Sequence, residues 1–304
     1  MPDADAPTVF VKSGLPDVLS RFEGRPILLR ADIAGLDDAG RARVKAIVQG
    51  GSQITTAQEM DAFPNLGLIV SISAGHEGID SAAAQARGVK VSAGVGVNAG
   101  DVAELAVGLL LACVRGIVWN DANIRAGGWK GLGLRPVRGL SGMKVGIVGL
   151  GHIGMATVDR LRPFGCGLAW TGPRPKPVDL PYVPSLVDLA RQCDALVVSA
   201  HLDETTQGMV DREVIEALGP QGILVNVARG GLVVEDELIA ALHDGRLGGA
   251  GLDVFETEPT PAERWRDVPR AVLTPHLGGV THEALARVFD RAFDTVADYL
   301  DWRR

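Results

Sequence analysis

Cysteine is scarce in this chain. Only Cys113, Cys166 and Cys193 occur among 304 residues, and no two of them form a CxxC pair. Three widely spaced thiols exclude a disulfide framework and a zinc ribbon, and suit a reducing compartment. Aromatic residues are few, 5% of the chain, and the formal charge is −7. A nucleic-acid binder needs a basic surface with stacking platforms, so no such partner is expected. Long apolar runs are missing too. The longest, 102–118, carries Glu104 and Arg115 and falls short of the roughly 20 residues that a spanning helix needs. It reads as a buried core helix, and no membrane partner is expected. The opening MPDADAPTVF lacks a basic stretch followed by an apolar run, so a cytoplasmic protein without a leader is expected.

Glycine, in contrast, is abundant: 39 residues, nearly twice the ordinary usage of about 7%. These glycines stand singly or in pairs and therefore read as tight turns, not as a linker. Hydrophobic residues at 46% and charged ones at 22% fit a globular protein, and the length fits two domains.

Short β-branched runs alternate with helical periods. Strands are predicted at 8–11, 26–31, 53–55, 68–71 and 89–92, with helices such as 37–48 and 79–86 between them. The stretch 101–119 reads as one long helix, followed by the Gly- and Pro-rich 127–136. A second series then begins: KVGIVGLG, CGLAWTG, DALVVSA, GILVNVA, GAGLDVF and AVLTPH. These near-continuous apolar runs are strands covered on both faces. The chain ends in an amphipathic helix over 281–302, with Leu285, Val288, Phe289, Phe293, Val296 and Leu300 on one side. The expected fold is α/β, with two doubly wound parallel-sheet domains. Boundaries fall near 98–100 and 278–281, so the domains are expected at 1–98 with 281–304, and at 99–280.

Gly149-Leu-Gly151-His152-Ile153-Gly154 fits the GxGxxG pattern. In a strand-turn-helix setting the first glycine permits the tight turn. The second lets backbone approach a pyrophosphate, and the third lets helix and strand pack closely. A strand over 144–148 precedes the loop, and a second, 168–171, ends 17 residues after Gly154, which is the context a dinucleotide requires. An acid at the tip of the second strand would hold an adenosine 2′-hydroxyl. This chain instead has Thr171 followed by Arg174 and Lys176, a pattern suited to a 2′-phosphate. NADPH is the expected cofactor, with NADH as the alternative, and no metal is expected.

Hydride transfer to a ketone needs a cation for the substrate, an acid for the forming alkoxide and a group that sets that acid. Three strand ends carry suitable side chains. Arg229, after 223–227, offers a planar fork for a carboxylate. His276, after 271–274, sits between a proline and a glycine pair that would admit a ligand. Glu258, after 250–254, could pair with a histidine, and a neighbouring carboxylate favours the charged imidazole. Each alone is more often a surface salt bridge, a structural histidine or a solvated carboxylate. Their common place at strand ends distinguishes them.

The ordered set of Ser73-Ala-Gly75-His-Glu-Gly-Ile-Asp80, Val102-Ala-Glu104, the Gly149–Gly154 loop, Asn226-Val-Ala-Arg229-Gly, Gly251-Leu-Asp-Val-Phe255 with Glu258-Pro259, and Thr274-Pro-His276 resembles the D-isomer-specific 2-hydroxyacid dehydrogenases over nearly the whole chain. The resemblance implies a Rossmann cofactor domain inserted in a flavodoxin-like substrate domain, and a homodimer formed through the cofactor domains. It implies Arg229, Glu258 and His276 as the catalytic set, and the backbone at Ala74 and Gly75 as holder of the substrate carboxylate. It also implies Asp253 at the nicotinamide carboxamide, with Thr206, Val227 and Gly278 as further cofactor contacts beside His152 and Ile153. The motifs look most like glyoxylate and hydroxypyruvate reductases. Two departures stand out: Ser92-Ala-Gly-Val-Gly replaces a frequent Thr-Asn-Thr-Pro-Gly, and His201 replaces a frequent proline. Reductases of larger sugar-acid or aryl keto acids, and a nucleotide-sensing corepressor, are the alternative expectations.

Overall fold

The computed structural model describes residues 7–129 and 137–302; the rest of the Gly- and Pro-rich segment, 130–136, lies outside the described residues. In chain order the first elements are β1 (Thr8–Val11), α1 (Pro16–Arg21), β2 (Ile27–Leu28), α2 (Asp38–Arg43), β3 (Val44–Gln49), α3 (Ala57–Asp61), β4 (Leu68–Ser71), α4 (Ser81–Ala86) and β5 (Lys90–Ala93). Next come α5 (Ala99–Arg115), α6 (Ile117–Arg125), β6 (Lys144–Val148), α7 (His152–Leu161), β7 (Gly167–Thr171), α8 (Leu186–Gln192), β8 (Ala195–Val198) and α9 (Arg212–Leu218). The last are β9 (Ile223–Asn226), α10 (Glu235–Asp244), β10 (Gly249–Leu252), α11 (Ala262–Trp265), β11 (Ala271–Leu273) and α12 (His282–Tyr299). Two compact units result. One runs to Asn98 and resumes at His282; the other is Ala99–Thr281.

The first unit holds a parallel sheet in the order β2-β1-β3-β4-β5. Alternate residues face opposite sides. Val9, Val11, Ala46, Val48, Leu68 and Val70 pack with Val288, Phe289, Ala292 and Val296 of α12, whereas Phe10, Ile47 and Ile69 face Met60 and Phe63 on the other side. Both faces are thus buried, and this explains a correction. The segment 37–48 is not one helix: α2 ends at Arg43, and Val44–Gln49 is a central strand. Val44, Ile47 and Val48 also satisfy a helical spacing, so periodicity alone does not separate the two readings. The side chain of Asp37 caps α2 by accepting from the Gly40 amide at 2.8 Å. Two predicted strands shrink as well. Only Ile27–Leu28 of 26–31 pairs, before a 3₁₀ turn at Arg30–Gly35, and 53–55 is reduced to one bridge from Thr55 to Ile79.

The second unit holds a parallel sheet in the order β11-β10-β9-β8-β6-β7, and Tyr182 adds a single parallel bridge on Trp170 at the outer edge of β7. With that bridge counted as a residual strand, the order is that of a dinucleotide-binding sheet, reversing between β6 and β8. Ala195, Val197, Ile223 and Val225 face α5, and Leu196, Val198 and Leu224 face α8, α9 and α10. The long helix expected over 101–119 is broken. Gly116 adopts φ +60°, and α5 and α6 meet at a bend of 59°. No single helix among the described residues is long and apolar enough to cross a membrane.

Candidate active site

Because every strand of the second unit is parallel, all its carboxyl ends open on one edge of the sheet, where a crevice forms at the reversal point. The turn after β6 lies there. Gly149 has φ +91°, and a Cβ on it would stand 2.6 Å from Ala200 Cα, on the segment that follows β8. A Cβ on Gly154 would stand 2.2 Å from the Gly149 carbonyl oxygen, so helix α7 can seat against the turn only without one. A Cβ on Gly151 would meet nothing within 4 Å. The amides of Gly151, His152 and Ile153 donate to no acceptor among the described residues. An open space ringed by unpaired amides at a helix N-terminus fits a pyrophosphate, so the residues present fit a dinucleotide.

The segment after β7 supplies charge beside this turn. Lys176 Nζ donates to the Leu150 carbonyl at 2.6 Å, and Arg174 is exposed without an ion-pair partner among the described residues. Thr171, in contrast, is buried and directs its hydroxyl to the Pro184 carbonyl. Thr206 uses its hydroxyl within its own turn, accepting from the Asp203 amide and donating to the His201 carbonyl, both at 2.8 Å. Val227 is buried at the end of β9.

Arg229 follows β9 in a turn stapled by Asn226. The Asn226 amide group donates to the Arg229 carbonyl at 2.9 Å, and its oxygen accepts from the Ala228 amide at 3.1 Å. The guanidinium is half-buried and donates to the Ala228 carbonyl at 2.8 Å. The next residue is decisive. A Cβ on Gly230 would lie 1.9 Å from the Phe255 carbonyl carbon, so the Arg229 turn rests directly on the backbone that follows β10.

That backbone carries Glu258. One carboxylate oxygen accepts from the Phe255 amide at 3.0 Å, and the other lies 2.6 Å from His276 Nδ1. An ionised carboxylate only accepts, so with Glu258 in that form the contact calls for a proton on Nδ1 and leaves Nε2 outside it. Both side chains are partly open to solvent, 47% for His276 and 37% for Glu258. His276 has φ +55°, a strained region for a residue with a Cβ, and its turn is held from below by Asp253. The Asp253 carboxylate is 1% exposed and accepts from Thr274 Oγ1 at 2.6 Å, the Leu277 amide at 2.7 Å and the Gly278 amide at 2.8 Å. It is committed to the histidine's turn, a role that the motif did not announce. Arg229, Glu258 and His276 therefore stand at the ends of three neighbouring strands, β9, β10 and β11.

In the first unit, the loop of Ala74 and Gly75 is fixed from within. Ser71 and Ser73 donate to the Gly75 carbonyl at 2.7 and 2.9 Å, while the Ala74 and Gly75 amides donate to no acceptor among the described residues. Below it, Lys12 is buried and donates to Thr55 Oγ1 and Glu59 Oε2 at 2.8 and 2.7 Å. Sequence reasoning missed Lys12 and Glu235, whose partners lie far along the chain, and gave Asn226 no role of its own.

Residues 107–278 match the family model described as D-isomer specific 2-hydroxyacid dehydrogenase, NAD binding domain. The chain is 42% identical over 244 residues to glyoxylate/hydroxypyruvate reductase A of Arabidopsis thaliana, covering 80% of this chain and 78% of that protein. It is 41% identical over 241 residues to hydroxyphenylpyruvate reductase of Plectranthus scutellarioides, covering 79% and 77%. Among solved structures, an NADPH-dependent glyoxylate/hydroxypyruvate reductase of Sinorhizobium meliloti in complex with NADP and malonate superposes with a TM-score of 0.85 at 34% identity, covering 96% of this chain and 93% of that one.

Proposed function

The chain belongs to the D-isomer-specific 2-hydroxyacid dehydrogenases, and from that premise we propose that it reduces a small 2-oxoacid, glyoxylate or hydroxypyruvate, with NADPH. The observation that carries the reading is the His276–Glu258 pair at 2.6 Å, on strand ends adjacent to that of Arg229. Arg229 grips the substrate carboxylate through its guanidinium fork. Ala74 and Gly75 are further proposed carboxylate contacts. A nicotinamide held by the second unit would supply the hydride for the carbonyl carbon. His276 gives its Nε2 proton to the carbonyl oxygen as the C=O π bond becomes an O–H bond, leaving a 2-hydroxy acid, the D form where that carbon is chiral. Glu258 keeps Nδ1 protonated and the ring aimed. Solvent then restores the proton, since the imidazole is open to it. Asp253 is assigned to the nicotinamide carboxamide as well as to holding the His276 turn.

For the cofactor, the Gly149–Gly154 turn and the amides of His152 and Ile153 are assigned to the pyrophosphate, with Thr206, Val227 and Gly278 lining its further course. Exposed Arg174, and Lys176 already at the turn, support a 2′-phosphate, as does the NADP held by the S. meliloti relative. A second reading, an aryl keto acid as substrate, is favoured by the similar identity to the hydroxyphenylpyruvate reductase. A panel of 2-oxoacids assayed with NADPH and NADH side by side separates them. The proposal expects the highest kcat/KM for glyoxylate or hydroxypyruvate with NADPH; a preference for hydroxyphenylpyruvate, or turnover with NADH alone, contradicts it.

We also propose a homodimer. Helix α6 presents Ile117, Val118 and Ile124 to solvent, and Trp129 beyond it is 75% exposed, more apolar surface than a lone helix keeps wet without cause.

A further inference from the structure

Glu235, the first residue of α10, is a carboxylate only 3% exposed, and no step of the reduction uses it. Its two oxygens point to one loop. Oε1 accepts from the Glu256 amide at 2.5 Å, and Oε2 accepts from Arg264 Nε at 2.8 Å. Arg264 also donates to Asp236 Oδ1 at 2.8 Å, so both ends of the segment between residues 256 and 264 are tied to the start of α10. Glu258 lies within that segment. Consecutive amides of the loop go to different carboxylates: Phe255 donates to Glu258 and Glu256 donates to Glu235. Glu258 itself is exposed and, among the described residues, is held by the Phe255 amide and by His276. An exposed side chain on a loose loop would not keep one orientation; Glu235 ties the two ends of this one, and within it Thr260 Oγ1 accepts from Trp265 Nε1 at 3.0 Å.

We propose that Glu235, acting through the Glu256 amide and Arg264, is a positioning residue that sets Glu258 against His276. The proposal rests on the reading of His276 as proton donor. In Glu235→Gln the carboxamide has one acceptor oxygen and an NH₂ group, so it can serve the Glu256 amide or Arg264 but not both. Small displacements at a reacting group cost up to about a hundredfold in rate. The expected result in the full-length protein is therefore a fall in kcat of about ten- to a hundredfold. KM for the oxoacid and the Kd of NADPH should stay within about twofold, because Glu235 touches neither. A second readout needs no turnover: in the ¹H–¹⁵N spectrum of the protein without substrate or coenzyme, His276 should lose the Nδ1-protonated state that Glu258 imposes. If both kcat and the His276 resonances match the parent, the proposal is overturned. Loss of kcat with an unaltered imidazole overturns it as well, since Glu235 would then act elsewhere. Should Glu235→Gln not fold, Arg264→Gln removes the outer tie alone and is expected to shift the same two readouts in the same direction; no shift in either contradicts the proposal. A parent protein inactive on every oxoacid would defeat the functional reading while leaving the imidazole readout to decide this one.

Discussion

A guanidinium and an ammonium share a charge but not a shape, and the role proposed for Arg229 depends on shape. Arg229→Lys should raise KM for the 2-oxoacid by about tenfold or more, the effect of losing one charged hydrogen bond, with NADPH affinity unchanged. Steady-state kinetics with each ligand varied in turn checks it; an unaltered KM would remove the arginine from substrate binding. The cysteines give a prediction of a different kind. Burial pushes the Cys113 thiol from the ordinary 9.0 up to about 12 and, with the Asp194 carboxylate adding to burial, the Cys193 thiol up to about 11. The folded protein thus keeps these protons at a pH where the unfolded chain loses them. Their contribution to stability is full below about pH 9 and is lost as pH rises toward 11–12. Alkylation by iodoacetamide at pH 8 should leave both thiols unmodified in the native protein and modify both after denaturation. Fast native-state labelling would contradict their burial. At this scale the placement of Arg229, Glu258 and His276 at neighbouring strand ends was legible, because the strands before them read as unbroken apolar runs. Glu235, and the hold of Asp253 on the His276 turn, were not, because the groups these carboxylates bind lie 21 to 29 residues further along.

Among the elements, the dinucleotide turn is the one most tightly written in sequence. Gly154→Ala would place a methyl 2.2 Å from the Gly149 carbonyl, forcing α7 away from the turn. Overpacking of that kind costs about 1–3 kcal/mol, so a lowered Tm and a coenzyme Kd raised at least tenfold are expected together. Wild-type coenzyme affinity would show that the turn does not bind it. Replacing Arg174 and Lys176 together by alanine tests the segment after β7: NADPH should weaken by more than tenfold relative to NADH. Equal loss for both coenzymes would refute the 2′-phosphate assignment. Substituting Thr171 is less informative than the sequence suggests, since a glutamate there would be buried. The strands of the second sheet were legible as unbroken apolar runs. The same property hid β3, whose Val44, Ile47 and Val48 suit a helix until their burial on both faces is seen. The break at Gly116 was missed because apolar residues continue on both sides of it.

For the molecule as a whole, alternation of strand and helix announced two parallel sheets, and the second follows the dinucleotide-binding order once the Tyr182 bridge is counted. The single bridge at Tyr182 was not among the strands predicted from the sequence. Sedimentation should give twice the 31.9 kDa of one chain, and Ile124→Glu should shift the protein toward monomer. A monomer in the unsubstituted protein would refute the dimer. The central claim is that His276 hands a proton to a 2-oxoacid carbonyl. Its most direct test is the single-turnover rate of glyoxylate reduction by His276→Asn preloaded with NADPH. The account predicts a fall of about a hundred- to ten-thousandfold with NADPH still bound at full occupancy; a rate within a few fold of the parent would contradict it.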